Sequence, residues 1–251
     1  GFQMSYRING GTVVTENVGS FTLNPNQTAP YTFTTPANLS VAGPYTIEAF
    51  ANHAADPNHA NDTSMVDIYN LGTVYTMVPT GTQTITACGA TFTDAGGLNG
   101  PIGMNDNAIT TIYPANAGDR VRLTFLEFAA SYGGFEIYNG IDMNAPLMGS
   151  WTASNSPGEI TALNADGALT IHFMGPGWEQ TAGWVAFISC ITPQADEFAL
   201  NTFTANLATV FEGNTVVLRA LVQNMGTQAF DKPVNFTVNG TSIGTVNTGN
   251  L

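Results

Sequence analysis

The chain has 251 residues, of which 43% are hydrophobic and only 9% are charged, with 18 acidic against 5 basic side chains and a net charge of −13. Ordinary soluble domains carry about 25% charged residues. An acidic surface repels phosphate backbones and anionic lipid headgroups, which argues against nucleic-acid and membrane-surface partners. No run of about 18 apolar residues occurs, so we expect no membrane span. Thr, Asn, Gly and Ser supply the polarity instead, which is typical of extracellular β-proteins.

In chain order, hydrophobic and polar residues alternate with the period of two that indicates β-strands, and helical periodicity is nearly absent. Asn-Gly, Gly-Gly and Pro-Gly pairs separate these segments, as tight turns require. The pattern predicts an all-β fold with breaks near residues 70–79 and 190–197. The alternating segments are YTFTT (31–35), YTIEAFA (45–51), VRLTFLEF (121–128), FEIYNG (135–140), LTIHF (169–173), WVAFIS (184–189) and VVLRALVQN (216–224).

The two ends of the chain carry related hairpins. MSYRINGGTVVTENVGSF near the start and VNFTVNGTSIGTVNTGNL at the end align at an offset of 230 positions, which places Asn9-Gly10 on Asn239-Gly240. Five of the 21 overlapping residues are identical. Each copy predicts a strand, a tight turn and a second strand. The alternative is that two unrelated domains share a common hairpin pattern.

Catalytic and metal-binding patterns are sparse. His53 and His59 lie in ANHAADPNHAND, which is either a weak metal site or, as we favour, a polar turn with side-chain hydrogen bonds to its own backbone. His172 lies on an alternating strand and is expected to face solvent. Serine-hydrolase, zinc-protease and phosphate-loop motifs do not occur. We therefore expect neither an enzyme nor a cofactor.

Cys88 and Cys190 are the two cysteines, and they lie at the two edges of the middle segment. This placement predicts a disulfide, with two buried free thiols as the alternative. A bridge closing so long a loop stabilises by up to ~4.7 kcal/mol in the chain-entropy model. Two cysteines without a neighbouring His or Cys are too few for a zinc site.

The segment between these cysteines resembles a CUB domain over about residues 78–191. The resemblance implies an antiparallel jelly-roll sandwich whose relatives mostly bind proteins or glycans, often with calcium. The alternation by itself places Thr124, Glu136, Thr170 and His172 outside, and Leu123, Phe125, Phe135, Ile137, Leu169, Ile171 and Phe173 inside. The resemblance is carried by GPIGMNDNAITTIYPANAGDRVRLTFLEF (100–128), YGGFEIYNG (132–140), PLMGSW (146–151) and ALTIHFMGPGWEQTAGWVAFISC (168–190).

Calcium-binding CUB domains hold the ion with three carboxylates, and all three positions differ here. Ser131, Gly133 and Pro176 occupy them. Calcium requires six to eight oxygen ligands, several of them charged, so we expect no calcium at the family's position. A substitute cluster of Glu127, Glu136 and Glu179 is the alternative to scattered surface glutamates, which we favour.

Exposed aromatic rings near loops are a common way to stack sugars, and the CUB-like segment is rich in aromatics. We take Trp178, with Tyr132 and Tyr138, as candidate ligand contacts, and Trp184 as a core residue. Five N-x-S/T sequons are candidate glycosylation sites, although several are expected by chance in so Asn- and Thr-rich a chain. The sequons are at Asn26, Asn38, Asn61, Asn235 and Asn239.

The flanks resemble the bacterial cell-adhesion-related Ig-like domain of the CARDB type, each in part. Residues 1–70 resemble its C-terminal part and residues 195–251 its N-terminal part. Together they supply about the ~100 residues of one Ig-like sandwich. We therefore expect incomplete sandwich halves with open apolar faces, within a window of a longer array of alternating Ig-like and CUB-like modules. The expected open-face residues include Tyr45, Ile47, Phe50, Val217, Leu218 and Leu221.

Two classes of function follow. The first is a structural or adhesive segment of an extracellular bacterial fibre or surface protein, whose partners are neighbouring copies of the repeat or subunit, with surface glycans or proteins as further ligands. The second is a non-catalytic glycan- or protein-binding accessory region of a secreted enzyme. The repeated hairpin favours the first.

Overall fold

The protein is built almost entirely of β-strands. Its computed structural model shows seventeen strands and one short 3₁₀ turn, His59–Asn61, among the residues described. This strand content confirms the all-β prediction. No helix in that part of the chain is long and apolar enough to cross a membrane. The described residues are 2–19, 24–153, 155–178, 180–206, 208–209, 211–213, 215–229 and 231–249, without the side chains of 131–133, 153 and 201.

The N-terminal flank forms one four-stranded antiparallel sheet. Its strands are β1 (Phe2–Ile8), β2 (Val14–Val18), β3 (Gly43–Asn52) and β4 (Thr63–Asn70), in the order β2-β1-β3-β4. Asn9 and Gly10 turn the chain between β1 and β2 with φ values of 49° and 68°. Positive φ at both central residues defines the type I′ turn, for which Asn-Gly is the preferred pair.

The two faces of this sheet differ in polarity. On one face Tyr6, Ile47 and Val66 occupy neighbouring strands. The opposite face carries polar pairs, including the Arg7–Glu48 ion pair and a 2.7 Å hydrogen bond from Thr46 to Asp67. The sheet is therefore amphipathic, and its apolar face requires a covering layer.

Residues 31–35, which alternation predicted as a strand, form no strand and instead cover part of that apolar face. The rings of Tyr6 and Phe33 meet edge-on with centroids 4.9 Å apart. Glu16 accepts hydrogen bonds from the Tyr31 hydroxyl (2.6 Å) and from the backbone amides of Thr34 and Thr35 (3.0 and 2.8 Å). One carboxylate thus ties the covering segment to the sheet.

The middle segment is a sandwich of two five-stranded sheets. Sheet I has the order β5-β7-β13-β9-β11 and sheet II the order β6-β8-β12-β9-β10. The nine strands are β5 (Thr73–Thr76), β6 (Thr80–Thr86), β7 (Ala90–Thr93), β8 (Asn107–Tyr113), β9 (Arg120–Tyr138), β10 (Leu147–Ala153), β11 (Glu159–Thr161), β12 (Leu169–Met174) and β13 (Gly183–Ile191), and β9 takes part in both sheets.

Strand β9 belongs to both sheets. Residues 120–129 pair with β13 in sheet I, and residues 135–138 pair with β12 in sheet II. Gly134 lies between these two parts with a φ of 133°, which side chains rarely allow. The bend at this glycine carries one continuous strand from one layer of the sandwich to the other.

Two edge pairs of the sandwich are parallel, β5 with β7 and β6 with β8, whereas the resemblance implies antiparallel pairing throughout. The chain alternates between the sheets over these four strands, so each strand's neighbour in its own sheet is separated from it by one strand running back in the other sheet. That alternation makes the two strands of each pair run in the same direction.

The core lies between the two sheets. The residues predicted to point inward are all buried there: Leu123, Phe125, Phe135, Ile137, Leu169, Ile171 and Phe173. Trp184 is also buried, as predicted, and its indole contacts the rings of Phe92, Phe135 and Phe173 with centroids 4.8 to 6.1 Å apart. Offset and edge-on aromatic contacts of this kind stabilise a core beyond the area that they bury.

The prediction that Thr170 and His172 face solvent is wrong, because both are buried. They do lie on the outer face of sheet II, but the loop after β9 folds over that face. The Thr170 hydroxyl donates to the Gly140 carbonyl (2.8 Å), and the Thr111 hydroxyl donates to the Ile141 carbonyl (3.2 Å). Alternation predicts the face of a residue but not whether a later loop covers it.

A disulfide joins Cys88 and Cys190, as predicted, with Cα atoms 5.4 Å apart. Cys88 follows β6 and Cys190 lies near the end of β13, so the bond links the first and last parts of the sandwich. Both cysteines are used, and the alternative of two free thiols does not hold.

The C-terminal flank consists of two antiparallel ladders. Strands β14 (Phe198–Ala205) and β15 (Leu218–Asn224) form one, and β16 (Pro233–Val238) and β17 (Thr241–Asn247) form the other. The rings of Phe203 and Phe236 lie 6.1 Å apart, so the two ladders face each other. The domain limits 1–70, 78–191 and 195–251 stay predictions.

The hydrogen bonds of Glu16 generate a pH prediction. They lower the pKa of Glu16 to about 2, with the Tyr31 hydroxyl as the largest cause, from an ordinary value of 4.5. Because the folded pKa is depressed, the stabilisation is complete above about pH 4.5 and is lost as the pH falls towards 2. We expect the protection factors of the Thr34 and Thr35 amides to fall over this window in hydrogen-exchange measurements.

Glu16→Gln should lower the same protection factors at neutral pH. Glu48→Gln is the matched control, because Glu48 lies on the opposite face of the same sheet and should leave residues 31–35 unchanged. Protection that is unaffected both by acid and by Glu16→Gln would contradict this account.

Candidate interaction surfaces

One end of the sandwich is formed by two loops that lie side by side, which we call the tip (described residues 94–106, 175–178 and 180–182). The Gly177 amide donates to the Met104 carbonyl (2.8 Å), and the Ile102 amide donates to the Thr181 carbonyl (3.0 Å). A Cβ atom at Gly175 would lie 2.5 Å from the Met104 carbonyl oxygen. The loops therefore pack backbone to backbone, at a distance that glycine permits.

The tip presents Trp178 to solvent. Its side chain is 71% exposed, and Met104 and Leu98 of the other tip loop are exposed as well. An indole held outward by a hydrogen-bonded loop offers a large, flat, rigid contact surface, which is the type of group that dominates binding interfaces.

Asp94 anchors the tip from beneath. Its buried carboxylate accepts hydrogen bonds from the backbone amides of Trp184 (2.9 Å) and Gly96 (2.7 Å). Burial is the largest influence and raises the pKa of Asp94. Gly183 is required opposite it, because a Cβ atom there would lie 1.9 Å from an Asp94 oxygen. Asp94 is not among the residues predicted from the sequence, because its only local signal is its position directly after β7.

Tyr138, another predicted contact residue, does not share a site with Trp178. Tyr138 pairs with Thr170, far along β12 from Met174, where the tip loop begins. Its hydroxyl donates to Glu136 (2.7 Å). The side chain of Tyr132 lies outside the described residues, so its role stays a prediction.

A polar network lies on the outer face of sheet II. The His172 ring contacts Glu136 through Nδ1 (3.2 Å) and Asn107 through Nε2 (3.3 Å), and Tyr138 donates to the same Glu136 oxygen. The hydrogen bond from Tyr138 is the largest cause of the lowered pKa of Glu136. The members satisfy one another, which is how a partly buried polar cluster avoids an energetic penalty.

Metal ligands are not gathered among the described residues, where no group of three or more His, Cys, Asp or Glu lies close enough to hold an ion. Pro176 is buried, and the side chains at Ser131 and Gly133 are outside the description. Glu179 also lies outside the described residues. The absence of a calcium site at the family's position therefore stays a prediction.

The histidine-rich turn has the structure of a polar loop. Asn58 accepts a hydrogen bond from the Ala60 amide (3.3 Å), and Asp56 accepts one from the Asn58 amide (2.9 Å). The His59 ring contacts Asp62 at 2.8 Å. These contacts support the interpretation of side-chain capping over that of a metal site.

The sequons all lie on the surface. Asn26, Asn38, Asn61, Asn235 and Asn239 are exposed, so each is accessible to modification. Glycosylation itself stays a prediction.

Both flanks leave apolar surface open. In the N-terminal sheet Val66 remains 52% exposed on the apolar face. In the C-terminal flank a groove of about 460 Å³ separates the two ladders, and its apolar lining includes Leu218, Val222 and Phe236. Two of the predicted open-face residues lie elsewhere: Phe50 pairs with Ser5 and Thr63 on the polar face of its sheet, and Leu221 lies on the face of β15 opposite the groove.

No protein-family model and no curated protein matches this chain. Among solved structures, the CUB1-EGF-CUB2 domain of human MASP-1/3 is similar with a TM-score of 0.37 and 17% identity over 43% of this chain. The CUB1-EGF-CUB2 domains of rat MASP-1 are similar with a TM-score of 0.36 and 10% identity over 44% of this chain. The similarity covers 41% and 42% of those chains, or about two fifths of their length. The sandwich described above rests on the strand pairing of this chain itself.

The anchoring role of Asp94 predicts a loss of stability in Asp94→Ala. The buried Trp184 amide would lose its acceptor, and an unsatisfied buried donor costs about 1–3 kcal/mol. Denaturant unfolding should show a decrease of this size. Asp166→Ala, at an exposed position, is the control and should change the unfolding free energy by less than about 0.5 kcal/mol. Equal effects of the two substitutions would contradict the anchoring role.

The exposure of Trp178 predicts that it dominates the acrylamide-quenchable fluorescence of the protein. Trp178→Phe should remove most of the quenchable component, because Trp184 is buried and Trp151 packs against the core. Trp151→Phe is the control and should retain that component. Quenching that persists in Trp178→Phe would show that the indole is covered in solution.

Proposed function

We propose that this chain is a structural or adhesive segment of an extracellular bacterial fibre or surface protein, in which CUB-like and Ig-like modules alternate. The observation that carries the proposal is the contrast between a closed middle sandwich and two flanks with open apolar faces. Exposed sheet edges and apolar faces recruit another layer. Neighbouring units are the natural source of that layer.

The two flanks contain different strands of the proposed Ig-like sandwich. The N-terminal flank contains the hairpin β1–β2 followed by β3 and β4, and the C-terminal flank contains the ladder β14–β15 followed by the equivalent hairpin β16–β17. An Ig-like sandwich needs both kinds of layer. When one unit's C-terminal flank is completed by parts of the next, the contact is head to tail and does not close, so it extends into a filament.

Two further observations support an extracellular location. Disulfides form and persist in oxidising compartments, and Cys88 and Cys190 are bonded. The low charge and the abundance of Thr and Asn suit strands that pack closely against other strands. The partners proposed are neighbouring copies of the repeat or subunit, with surface glycans or proteins as further ligands.

A second candidate function is that of a non-catalytic glycan- or protein-binding accessory region of a secreted enzyme. Trp178 on the rigid tip favours it. Binding of the full chain to arrayed glycans, lost in Trp178→Ala with an unchanged melting temperature, would support this role. The complete reading frame distinguishes the two candidates, since a fibre requires many alternating modules and an accessory region lies beside a protease or glycosidase domain.

The fibre proposal predicts concentration-dependent self-association of the full chain. Val246 is 62% exposed and lines the groove of the C-terminal flank. Burial of a valine side chain on association contributes about 1.5–3 kcal/mol, and a charged side chain at this position would lose that contribution. Val246→Asp should therefore weaken association at least about tenfold in sedimentation velocity.

Leu98→Asp is the matched control, because Leu98 is 43% exposed but lies in a loop of the middle sandwich and not in either flank. It should associate like the parent chain. A chain that stays monomeric at all concentrations, with both flanks resistant to protease, would overturn the fibre proposal.

A further inference from the structure

The hairpins β1–β2 and β16–β17 are equivalent in structure as well as in sequence. Asn239 and Gly240 have φ values of 49° and 80°, against 49° and 68° for Asn9 and Gly10. Both pairs therefore form turns with positive φ at the two central positions, the type I′ geometry. Strand β16 thus corresponds to β1, residue for residue, at the offset of 230 positions.

Strand β1 is paired on both edges. Strand β2 occupies one edge and β3 the other, in a register that runs from Gln3 opposite Asn52 to Ile8 opposite Ile47. The turn residue Asn9 extends this second pairing. Its backbone amide donates to the Thr46 carbonyl (2.9 Å), and its side-chain Oδ1 accepts from the Thr46 amide (2.8 Å).

Strand β16 is paired on one edge within the described part of the chain, by β17. The edge that corresponds to the β3 side of β1 has no strand beside it there. Asn239 has the same side chain and the same backbone angle as Asn9, and it is exposed, with no hydrogen bond to its amide group among the described residues. The donor and acceptor groups that hold β3 in the first hairpin are thus repeated beside an open edge.

The groove between the ladders lies on the inward side of β16. Val234 and Phe236 line it from β16, and Leu218, Ala220 and Val222 line it from β15. Transferring the β1–β3 register would place Ala51 opposite Val234, Ala49 opposite Phe236 and Ile47 opposite Val238. Small side chains opposite Phe236 leave its ring room within the groove, as Ala49 does for Tyr6 in the first hairpin.

We infer that the open edge of β16 is an acceptor site for an added β-hairpin of the 43–70 type, supplied by another unit of the assembly. The strand equivalent to β3 pairs antiparallel with β16, and its residue equivalent to Thr46 is held by Asn239. The site is the contact through which the proposed fibre would grow, so it rests on that proposed function. Main-chain hydrogen bonds supply affinity and the alternating side chains supply specificity, as in other strand additions.

One pair in this contact differs from the internal copy. Glu48 forms an ion pair with Arg7 in the first hairpin, whereas the residue that corresponds to Arg7 is Thr237. Thr237→Arg would restore the pair across the new contact. Thr237→Arg should therefore strengthen binding of the added hairpin. If β16 only stabilised its own flank and made no contact with the hairpin, this substitution would not strengthen binding.

The test uses the full chain and a synthetic peptide of residues 40–72. Hydrogen exchange should show new protection in residues 233–239 when the peptide is added. Asn239→Ala should weaken peptide binding about fivefold, the effect of one lost hydrogen bond. Thr237→Arg should tighten it, and a peptide carrying Glu48→Gln should cancel that gain. Thr241→Ala, on the other strand of the hairpin, is the control and should bind like the parent chain.

A second arm removes the dependence on the folding of a free peptide. Residues 22–70 are appended after residue 251 of the full chain, so the hairpin is present at high local concentration. Protection of residues 233–239 in either arm supports the acceptor site. Its absence in both arms, or protection confined to β4 or β2, overturns it. Self-association of the parent chain without protection at β16 would overturn the acceptor site and leave the fibre proposal standing.

Discussion

A β-sheet with one apolar face must cover that face, and this requirement separates the three parts of the chain. The middle segment meets it with two sheets around one core, joined by β9, which runs through both. The first flank has one sheet and covers it in part with residues 31–35. The last flank has two small ladders with an open groove between them. The need to bury the apolar face of each sheet thus accounts both for the closed core of the middle segment and for the proposed assembly of the flanks.

Few charges are available in this chain, and two of the carboxylates near the sheets accept hydrogen bonds from backbone amides. Glu16 accepts hydrogen bonds from a covering segment, and Asp94 accepts them from the amides beneath the tip. A carboxylate that accepts backbone amides orders a loop without a basic partner. With five basic residues in the chain, this is how its loops are ordered, and glycines at close backbone contacts complete the arrangement.

The inward residues of the sandwich were predictable because period-two alternation is a local property of a strand. The outward residues were not all predictable, since a loop that begins after Tyr138 contacts Thr170, and His172 is enclosed with its partners Glu136 and Asn107. The parallel edge pairs escaped prediction for a similar reason. Their direction depends on which sheet receives each successive strand, and short connections carry no signal for that choice.

The sequence by itself determined the all-β class, the Asn-Gly turns at positions 9 and 239, the pairing of Cys88 with Cys190 and the relation between the two terminal hairpins. These features depend on residues close together along the chain, or on the only cysteine pair that the composition allows. Tertiary structure alone decided that Asp94 lies beneath the tip, that Trp178 is presented outward, and that β1 has a partner on an edge where β16 has none among the described residues. Such facts depend on which distant segments meet, and hydrogen bonding between strands is satisfied equally well by many partners until packing selects one.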